Sequence, residues 1–362
     1  MEYYIYITNR CNMNCSYCSV MMRAGKTVLP DEISYPLENL KTFVDQTQKT
    51  RFPNDDTAIL YFFGGEPSLD YDKIIEIIDI FQDVEAYKVK FVLHTNGLLL
   101  DRIPEKVITK IHVIFLSLNY EKALSNGQIT PYFSKAIQTI TQIKKNYNLI
   151  TIGRLTISEQ TSLYTEATMS SLFFDYIYWQ LDNQKELSDI TTYKTRYKDN
   201  VELLFQHWLG YLEQGVILRY IPFLSVIRHL LNPITNLRHA FCGYGDDIVY
   251  IQTDGSCHGC CDDIENEPHR VGDIAKGITF SGMELSSKTC LECSYLNLCG
   301  GRCGRMHQDF SKDRIRDFCE MNIFMFDLIK KSIPVIKKQM NRYPEILNAF
   351  YDENIEFTEQ IP

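Results

Sequence analysis

Tyr3-Tyr4-Ile5-Tyr6-Ile7-Thr8-Asn9-Arg10-Cys11-Asn12-Met13-Asn14-Cys15-Ser16-Tyr17-Cys18 runs an apolar strand directly into three closely spaced cysteines. The stretch from Cys11 to Cys18 is too cramped for a strand or a regular helix. Asn12 and Asn14 tolerate the left-handed backbone that lets a loop wrap a metal centre. Three thiolates that converge in this way leave one position of a four-coordinate centre without a protein ligand. A zinc knuckle or three buried structural cysteines are the alternatives. Zinc, however, takes four ligands, and no histidine follows near Cys18.

Outward from this strand, strand-like and helix-like patterns alternate through the first half of the chain, which predicts parallel strands joined by crossover helices. The strands read at about residues 3 to 8, 57 to 63, 88 to 94, 112 to 119, 149 to 157 and 174 to 181. Between them, Leu37, Leu40, Phe43 and Val44, and then Ile74, Ile77, Ile78 and Phe81, recur at the spacing that puts apolar side chains on one helix face. Six βα units make an α/β open barrel, a fold in which ligands sit at the carboxyl ends of the strands. The polar motifs fall at those ends. Gly64-Gly65-Glu66-Pro67 follows the second strand, where glycines let backbone approach a ligand closely and Glu66 offers an acceptor to an ammonium group. Thr95-Asn96-Gly97 ends the third strand, and Ser117 and Asn119 end the fourth. As isolated features these are also ordinary turns and solvated strand ends.

The cysteine loop and Gly64-Gly65-Glu66-Pro67 together resemble the signature of the radical S-adenosylmethionine (SAM) enzymes. The resemblance implies a partial (β/α)6 TIM-like barrel in which Cys11, Cys15 and Cys18 hold a [4Fe-4S] cluster whose unligated iron chelates SAM. It implies that the Gly64, Gly65, Glu66 and Pro67 element contacts the methionyl amino group, and that Thr95, Asn96, Ser117 and Asn119 line the ribose and substrate side. Arg154 matches a basic position directed at the SAM carboxylate, and Tyr17 matches an aromatic neighbour of the adenine. For these two, solvent exposure and core packing are the respective alternatives.

Beyond about residue 235, glycine, turn residues and nine of the twelve cysteines gather between Cys242 and Cys319. The second unit therefore reads as small and organised by metal rather than by a large core. Cys242 is followed by twelve residues, Gly255, four residues and Cys260; then come Cys290, two residues, Cys293, five residues, Cys299, three residues, Cys303 and finally Cys319. This resembles the SPASM domain, an extension of radical SAM enzymes with two auxiliary [4Fe-4S] clusters, for three clusters in all. Carried over by position, Cys290, Cys293, Cys299 and Cys319 would ligate one and Cys242, Cys260 and Cys303 the other. A pair of zinc sites is the rival reading, because Cys290 to Cys303 also suits a zinc ribbon. The usual cysteine shortly before Cys242 is missing from residues 236–241. Cys257 or Cys261 could complete that cluster, with His239 a further substitute, or the cluster keeps an open iron. Nine cysteines less eight ligands leaves one spare, for which a buried inert thiol is the simplest role.

The division expected is 1–235 for the barrel, 236–325 for the Cys-rich domain and 326–362 for a helical tail packed back on the body. At 362 residues the chain can bury a large core. Its net charge of -9 argues against a nucleic-acid surface, and the basic stretch from Lys330 to Arg342 suits a solvated helix face. Without a basic start before a long apolar run, or any apolar stretch long enough to span a membrane, the chain reads as a soluble cytoplasmic enzyme. Twelve cysteines in that setting point to metal ligands rather than disulfides.

SPASM proteins mostly modify ribosomally made peptides or proteins, so the resemblance implies a maturase that abstracts a hydrogen from such a substrate and gives a thioether, a carbon–carbon cross-link or another oxidative change. It also implies an external electron donor such as flavodoxin or ferredoxin. Ten residues precede Cys11, so a leader peptide would be recognised by another surface or by a separate leader-binding protein. A sulfatase-maturase type of enzyme, a small-molecule SPASM dehydrogenase and, from another class, an iron–sulfur electron carrier are the alternatives. Sulfatase maturases place a basic aspartate directly after the cysteine matched by Cys260. Here Cys261 stands there and Asp262, the candidate base, comes one place later.

Overall fold

Six strands alternate with helices through the first half of the computed structural model: β1 Glu2–Thr8, β2 Thr57–Gly64, β3 Lys88–Thr95, β4 Ile111–Leu118, β5 Ile150–Ile157 and β6 Tyr176–Leu181. Every end lies within two residues of its expected position. The structure describes residues 1–20, 29–51, 57–118, 124–125, 128–182, 187–234, 240–244, 246–262, 270–279, 288–352 and 362. Asn119 and His239 lie outside them. The chain forms two contact units: Met1–Thr151 with Gly243–Met283, and Ile152–Cys242 with Glu284–Pro362.

In the first unit β1 to β4 are parallel neighbours, with Tyr4 opposite Tyr61, Leu60 opposite Phe91 and Val92 opposite Val113. Successive residues of β1, from Tyr3 to Ile7, are all buried. That is the pattern of a parallel strand covered on both faces, and it explains why β1 reads as a continuous apolar run rather than an alternating one. One cover comes from helices α1 (Leu37–Arg51) and α2 (Tyr71–Phe81), whose Leu40, Phe43 and Val44, and Ile74, Ile77, Ile78 and Phe81, are buried. Asp70 caps α2 by accepting from Lys73 N at 3.0 Å. Helix α3 (Pro131–Asn146) starts on Pro131, whose missing N–H costs nothing in a first turn.

Residues 243–283 add to this same sheet. Strand β7 (Ile248–Ile251) pairs parallel with β1, Glu2 opposite Ile248 and Tyr4 opposite Tyr250. Strands β8 (Ser256–His258), β9 (Arg270–Asp273) and β10 (Gly277–Ile278) continue it in antiparallel order. The boundary expected at residue 235 therefore differs from the contact units. Ladder hydrogen bonds to β1 and the fully buried Val249 and Ile251 make this cysteine-bearing segment part of the first unit's apolar core.

In the second unit β5 and β6 pair in parallel, Ile152 opposite Tyr176 and Thr156 opposite Gln180. The helices are α4 (Leu163–Ser170), α5 (Ile190–Leu212), α6 (Ile221–Leu231) and α7 (Lys312–Arg342). Val201, Leu204, Phe205, Trp208 and Leu212 of α5 are fully buried, as their spacing predicts. Helix α7 lies on α5, where Lys194 pairs with Asp317 at 2.7 Å and Glu320 at 2.8 Å. Its Lys330, Lys331, Lys337, Lys338 and Arg342 are exposed, the solvated basic face expected. Among the described residues no helix is long and apolar enough to cross a membrane.

Candidate active site

The chain leaves β1 into the cysteine loop, and the Gly64-Gly65-Glu66 turn is fastened to that exit. Gly65 N donates to Thr8 O at 2.8 Å and Glu66 N to Arg10 O at 2.9 Å. The two glycines are needed for this approach. A Cβ on Gly64, whose φ is +120°, would stand 2.4 Å from Thr8 O, and one on Gly65 would stand 2.2 Å from Arg10 O. Their close neighbour is thus the backbone of the loop itself. On its other side the loop entry is tied down by Asn9, whose amide donates to Pro30 O and to Thr253 Oγ1, each at 2.8 Å.

Within the loop, Cys18 N donates to Cys15 O at 3.2 Å and Met13 N to Cys11 Sγ at 3.4 Å. All three thiols are half-buried. Burial pushes the Cys11 thiol up to about 11, and the charges of Glu66, Cys18 and Cys15 add to it. Three soft donors on one loop, with the other two disfavouring ionisation of Cys11, suit a cationic metal centre that would turn them into thiolates. This donor set fits an iron–sulfur cluster.

Glu66 is buried behind the loop, only 1% exposed. Its Oε1 accepts from Ser68 N at 3.1 Å, from Ser68 Oγ and from Thr95 Oγ1 at 2.7 Å; Oε2 accepts from Asn96 N at 2.7 Å. Burial raises its pKa and these four donors lower it, leaving a net rise. A carboxylate has about four lone-pair positions, so its remaining acceptor capacity lies on Oε2, which takes only one bond. Asn96 extends the network. Its amide donates to Asn12 Oδ1 at 2.8 Å and lies 4.0 Å from Cys11 Sγ, and its carbonyl accepts from Tyr132 Oη at 2.9 Å. A hydrogen-bonded path therefore runs from Glu66 through Asn96 to Asn12 between the first two cysteines. Thr95, 2% exposed, turns its hydroxyl to Glu66 rather than outward.

Pro67 is buried at the first position of the short helix Pro67–Leu69. Tyr17 and Ser117 are half-buried. Arg154, on β5, donates to Gln180 Oε1 on β6 at 2.7 Å. Sequence reading missed Ser68, Asn12 in its bridging role, and Tyr132. Asn12 carried a signal, being polar inside the cysteine spacing; Tyr132 carried none beyond following the helix-starting Pro131.

In the second unit, Cys290, Cys293, Cys299 and Cys319 come close enough to sense one another. Burial pushes Cys299 up to about 12, Arg302 opposes this, and the other three thiols add to it. Cys319 is raised in the same way. Arg302 takes a left-handed φ of 61°, donates its N–H to Cys299 O at 3.1 Å and lays its guanidinium over Phe318 at 4.4 Å. Four thiols with a cation beside them fit a closed four-thiolate centre. Cys242 Sγ accepts from Gly304 N at 3.4 Å, and Cys303 precedes the helix Gly304–Asp309. In the first unit, Cys257 lies on β8, and Cys260, Cys261 and Asp262 follow in the turn after it.

Comparison with known proteins agrees with this geometry. Residues 5–161 match the Radical SAM superfamily. The radical SAM cyclopropyl synthase TigE of Paramaledivibacter caminithermalis is 20% identical over 315 residues, 82% of this chain and 66% of its own length. A probable GTP 3',8-cyclase of Methanocaldococcus jannaschii is 30% identical over 160 residues, 41% of this chain and 50% of its own. The chain thus spans from about half to about two thirds of the curated relatives it matches. Among solved structures, native anSMEcpe with bound AdoMet has a TM-score of 0.68 at 18% identity and covers 96% of this chain and 100% of that one. The same protein with AdoMet and a peptide has a TM-score of 0.66 at 19% identity, covering 94% and 99%. The likeness to the solved structures establishes the fold: an α/β fold with a parallel sheet, followed by a C-terminal helical region.

Proposed function

We propose that the protein is a radical SAM/SPASM maturase that reductively cleaves SAM and abstracts a hydrogen from a ribosomally made peptide. The observation that carries this reading is the cysteine loop fastened to Glu66: three thiols from one loop, backed by a buried carboxylate with acceptor capacity left on one oxygen. When bound, a [4Fe-4S] cluster with SAM on its unligated iron supplies the one-electron cleavage that yields a 5′-deoxyadenosyl radical.

The chain's own residues do the rest. Cys11, Cys15 and Cys18 hold the cluster, and Glu66 presents Oε2 to the ammonium end of SAM. Asn96 keeps the loop and the carboxylate in one register, because a donor that bonds both cannot let either drift alone. Gly64, Gly65 and Pro67 shape the turn that carries Glu66, while Tyr17 and Ser117 border the cofactor. Tyr4 stacks on Tyr61 at 4.0 Å and on Tyr250 at 4.5 Å, filling one face of the same sheet. Cys290, Cys293, Cys299 and Cys319 would hold an auxiliary cluster, which would supply electron-accepting chemistry there. An external flavodoxin- or ferredoxin-type donor starts the turnover, in the reducing cytoplasm where thiols persist.

Peptide as the substrate class is supported by the likeness to a cyclopropyl synthase and to a structure that carries a peptide. The test is anaerobic reconstitution with iron and sulfide, then dithionite, SAM and the short peptides encoded beside the gene. The expected result is 5′-deoxyadenosine together with a mass change in one peptide. Absence of 5′-deoxyadenosine from a brown, iron-loaded preparation would overturn the reading in favour of an electron carrier. If 5′-deoxyadenosine forms and a sulfatase is the protein altered, the substrate class changes and the SAM chemistry stands.

A further inference from the structure

We infer that Thr253, in the turn between β7 and β8, is a positioning residue for the SAM-cleaving centre: its hydroxyl holds the entry of the cysteine loop, so a hairpin from far along the chain completes a site that begins at Cys11. That the contact serves SAM cleavage rests on the function proposed above; the contact itself does not.

Three groups form a relay. Asn9, two residues before Cys11, donates its amide to Thr253 Oγ1 at 2.8 Å, and Thr253 Oγ1 donates its own proton to Pro30 O at 2.7 Å. Asn9 also reaches Pro30 O at 2.8 Å. A threonine hydroxyl can accept one bond and give another in this way, whereas valine, of the same shape, can do neither. Thr253 is fully buried, so a hydroxyl lost there is not replaced by water.

The backbone is tied in the same sense. Thr253 O accepts from Ser34 N at 2.8 Å and from Ser34 Oγ at 3.0 Å, while Asp31 O accepts from Asn9 N at 2.9 Å and from Thr8 Oγ1 at 2.7 Å. Residues 30–34 are therefore bonded to the exit of β1 on one side and to the hairpin on the other. The turn that presents Thr253 is itself fixed. Gly255 N donates to Gln252 O at 2.9 Å, Gly255 takes the left-handed φ of +87° that the turn needs, and Asp254 Oδ1 accepts from Ser256 N at 2.9 Å and from Ser256 Oγ at 2.6 Å. With β7 paired to β1, the direction of the Thr253 hydroxyl is set before any cofactor binds.

The cysteine loop is thus gripped from both neighbours of β1. From the β2 side, Glu66 N holds Arg10 O and Asn96 holds Asn12; from the β7 side, Thr253 holds Asn9. Glu66 and Asn96 lie within the stretch that matches the Radical SAM superfamily, and Thr253 lies outside it. The hairpin therefore does more than carry Cys257 and Cys260: it fixes where the first cysteine of the loop stands, and a loop held at both ends keeps its ligands in one geometry.

The full-length chain is compared with Thr253→Val, which removes only the hydroxyl, and with Thr253→Ser, which keeps it. In metal-free protein, hydrogen–deuterium exchange of the peptide spanning residues 8–18 should quicken roughly fivefold in T253V, the ratio that one hydrogen bond is worth, and stay at the wild-type rate in T253S. The peptide spanning 190–212 should not change in either. In anaerobically reconstituted protein of equal iron content, SAM should perturb the electron-paramagnetic signal of T253V only at roughly fivefold higher concentration, with T253S again like wild type. Far-UV circular dichroism confirms that each variant is folded. The assignment is overturned if folded T253V exchanges at the wild-type rate over residues 8–18, if T253S behaves as T253V does, or if faster exchange leaves the SAM response unmoved. Exchange is read without metal or cofactor, so a wild-type protein that ignores SAM would end the proposed function by a separate measurement.

Discussion

The cysteine loop at the amino terminus and the four-cysteine group Cys290, Cys293, Cys299 and Cys319 hold the same kind of donor in opposite electrical surroundings. Beside Cys11 stands a buried carboxylate, Glu66, whose charge raises the thiol further; beside Cys299 and Cys319 stands Arg302, whose charge lowers them. Three thiols with an anion behind them are an incomplete ligand set that attracts a cationic guest such as a sulfonium with its ammonium group. On the function proposed here, four thiols with a cation beside them would complete a ligand set, and the arginine would offset the negative charge of a fully thiolate-bound cluster. The contrast suits one centre to binding a cofactor and the other to storing an electron.

The largest expected effect breaks the comparison at its root. Cys15→Ala removes one of only three ligands and should abolish 5′-deoxyadenosine formation, at least about a hundredfold by chromatographic assay. Cys319→Ala should leave that first cleavage measurable while stopping multiple turnover. Equal loss in both variants would show that the two centres are not functionally distinct.

A smaller effect is expected from Glu66→Gln. The new amide would turn a donor toward the donors of Ser68, Thr95 or Asn96, at a cost of about 1 to 3 kcal/mol. Thermal melting should fall accordingly, and SAM affinity by calorimetry should drop about tenfold. Retained affinity would detach the carboxylate from the cofactor. The smallest effect is Arg302→Met. Removing this cation should shift the midpoint potential of the four-cysteine centre negative, on the order of tens of millivolts, because a positive neighbour favours the reduced, more negative cluster. The centre at Cys11 should keep its potential in spectroelectrochemical titration. A shift of both, or of neither, would remove the electrostatic distinction.

Much of this was legible along the chain. The six strands announce themselves because parallel strands buried on both faces are runs of apolar residues, and helices such as α2 repeat theirs at 3.6-residue spacing. The motifs at strand ends were visible for the same reason, since a polar cluster directly after an apolar run can only be a strand exit. The partners of those motifs were hidden. Nothing near Thr95 indicates that its hydroxyl turns to Glu66 rather than toward a ribose, and nothing near Gly65 indicates that its bare Cα faces Arg10 O rather than a ligand. Cys257 and Cys261 looked interchangeable as ligands because both flank Cys260; strand pairing buries one and leaves the other beside a carboxylate.

Sequence by itself determined the positions of the six strands, the two groups of closely spaced thiols and the glutamate at the second strand's exit, because spacing and periodicity are local and short peptides can satisfy them in few ways. Tertiary structure alone decided that residues 248–251 pair with β1, that Asn96 bridges Glu66 and Asn12, and that the charge of Arg302 reaches Cys299 and Cys319. Those contacts join residues far apart in the chain. Their energy depends on burial and direction, and neither exists until the sheet has formed.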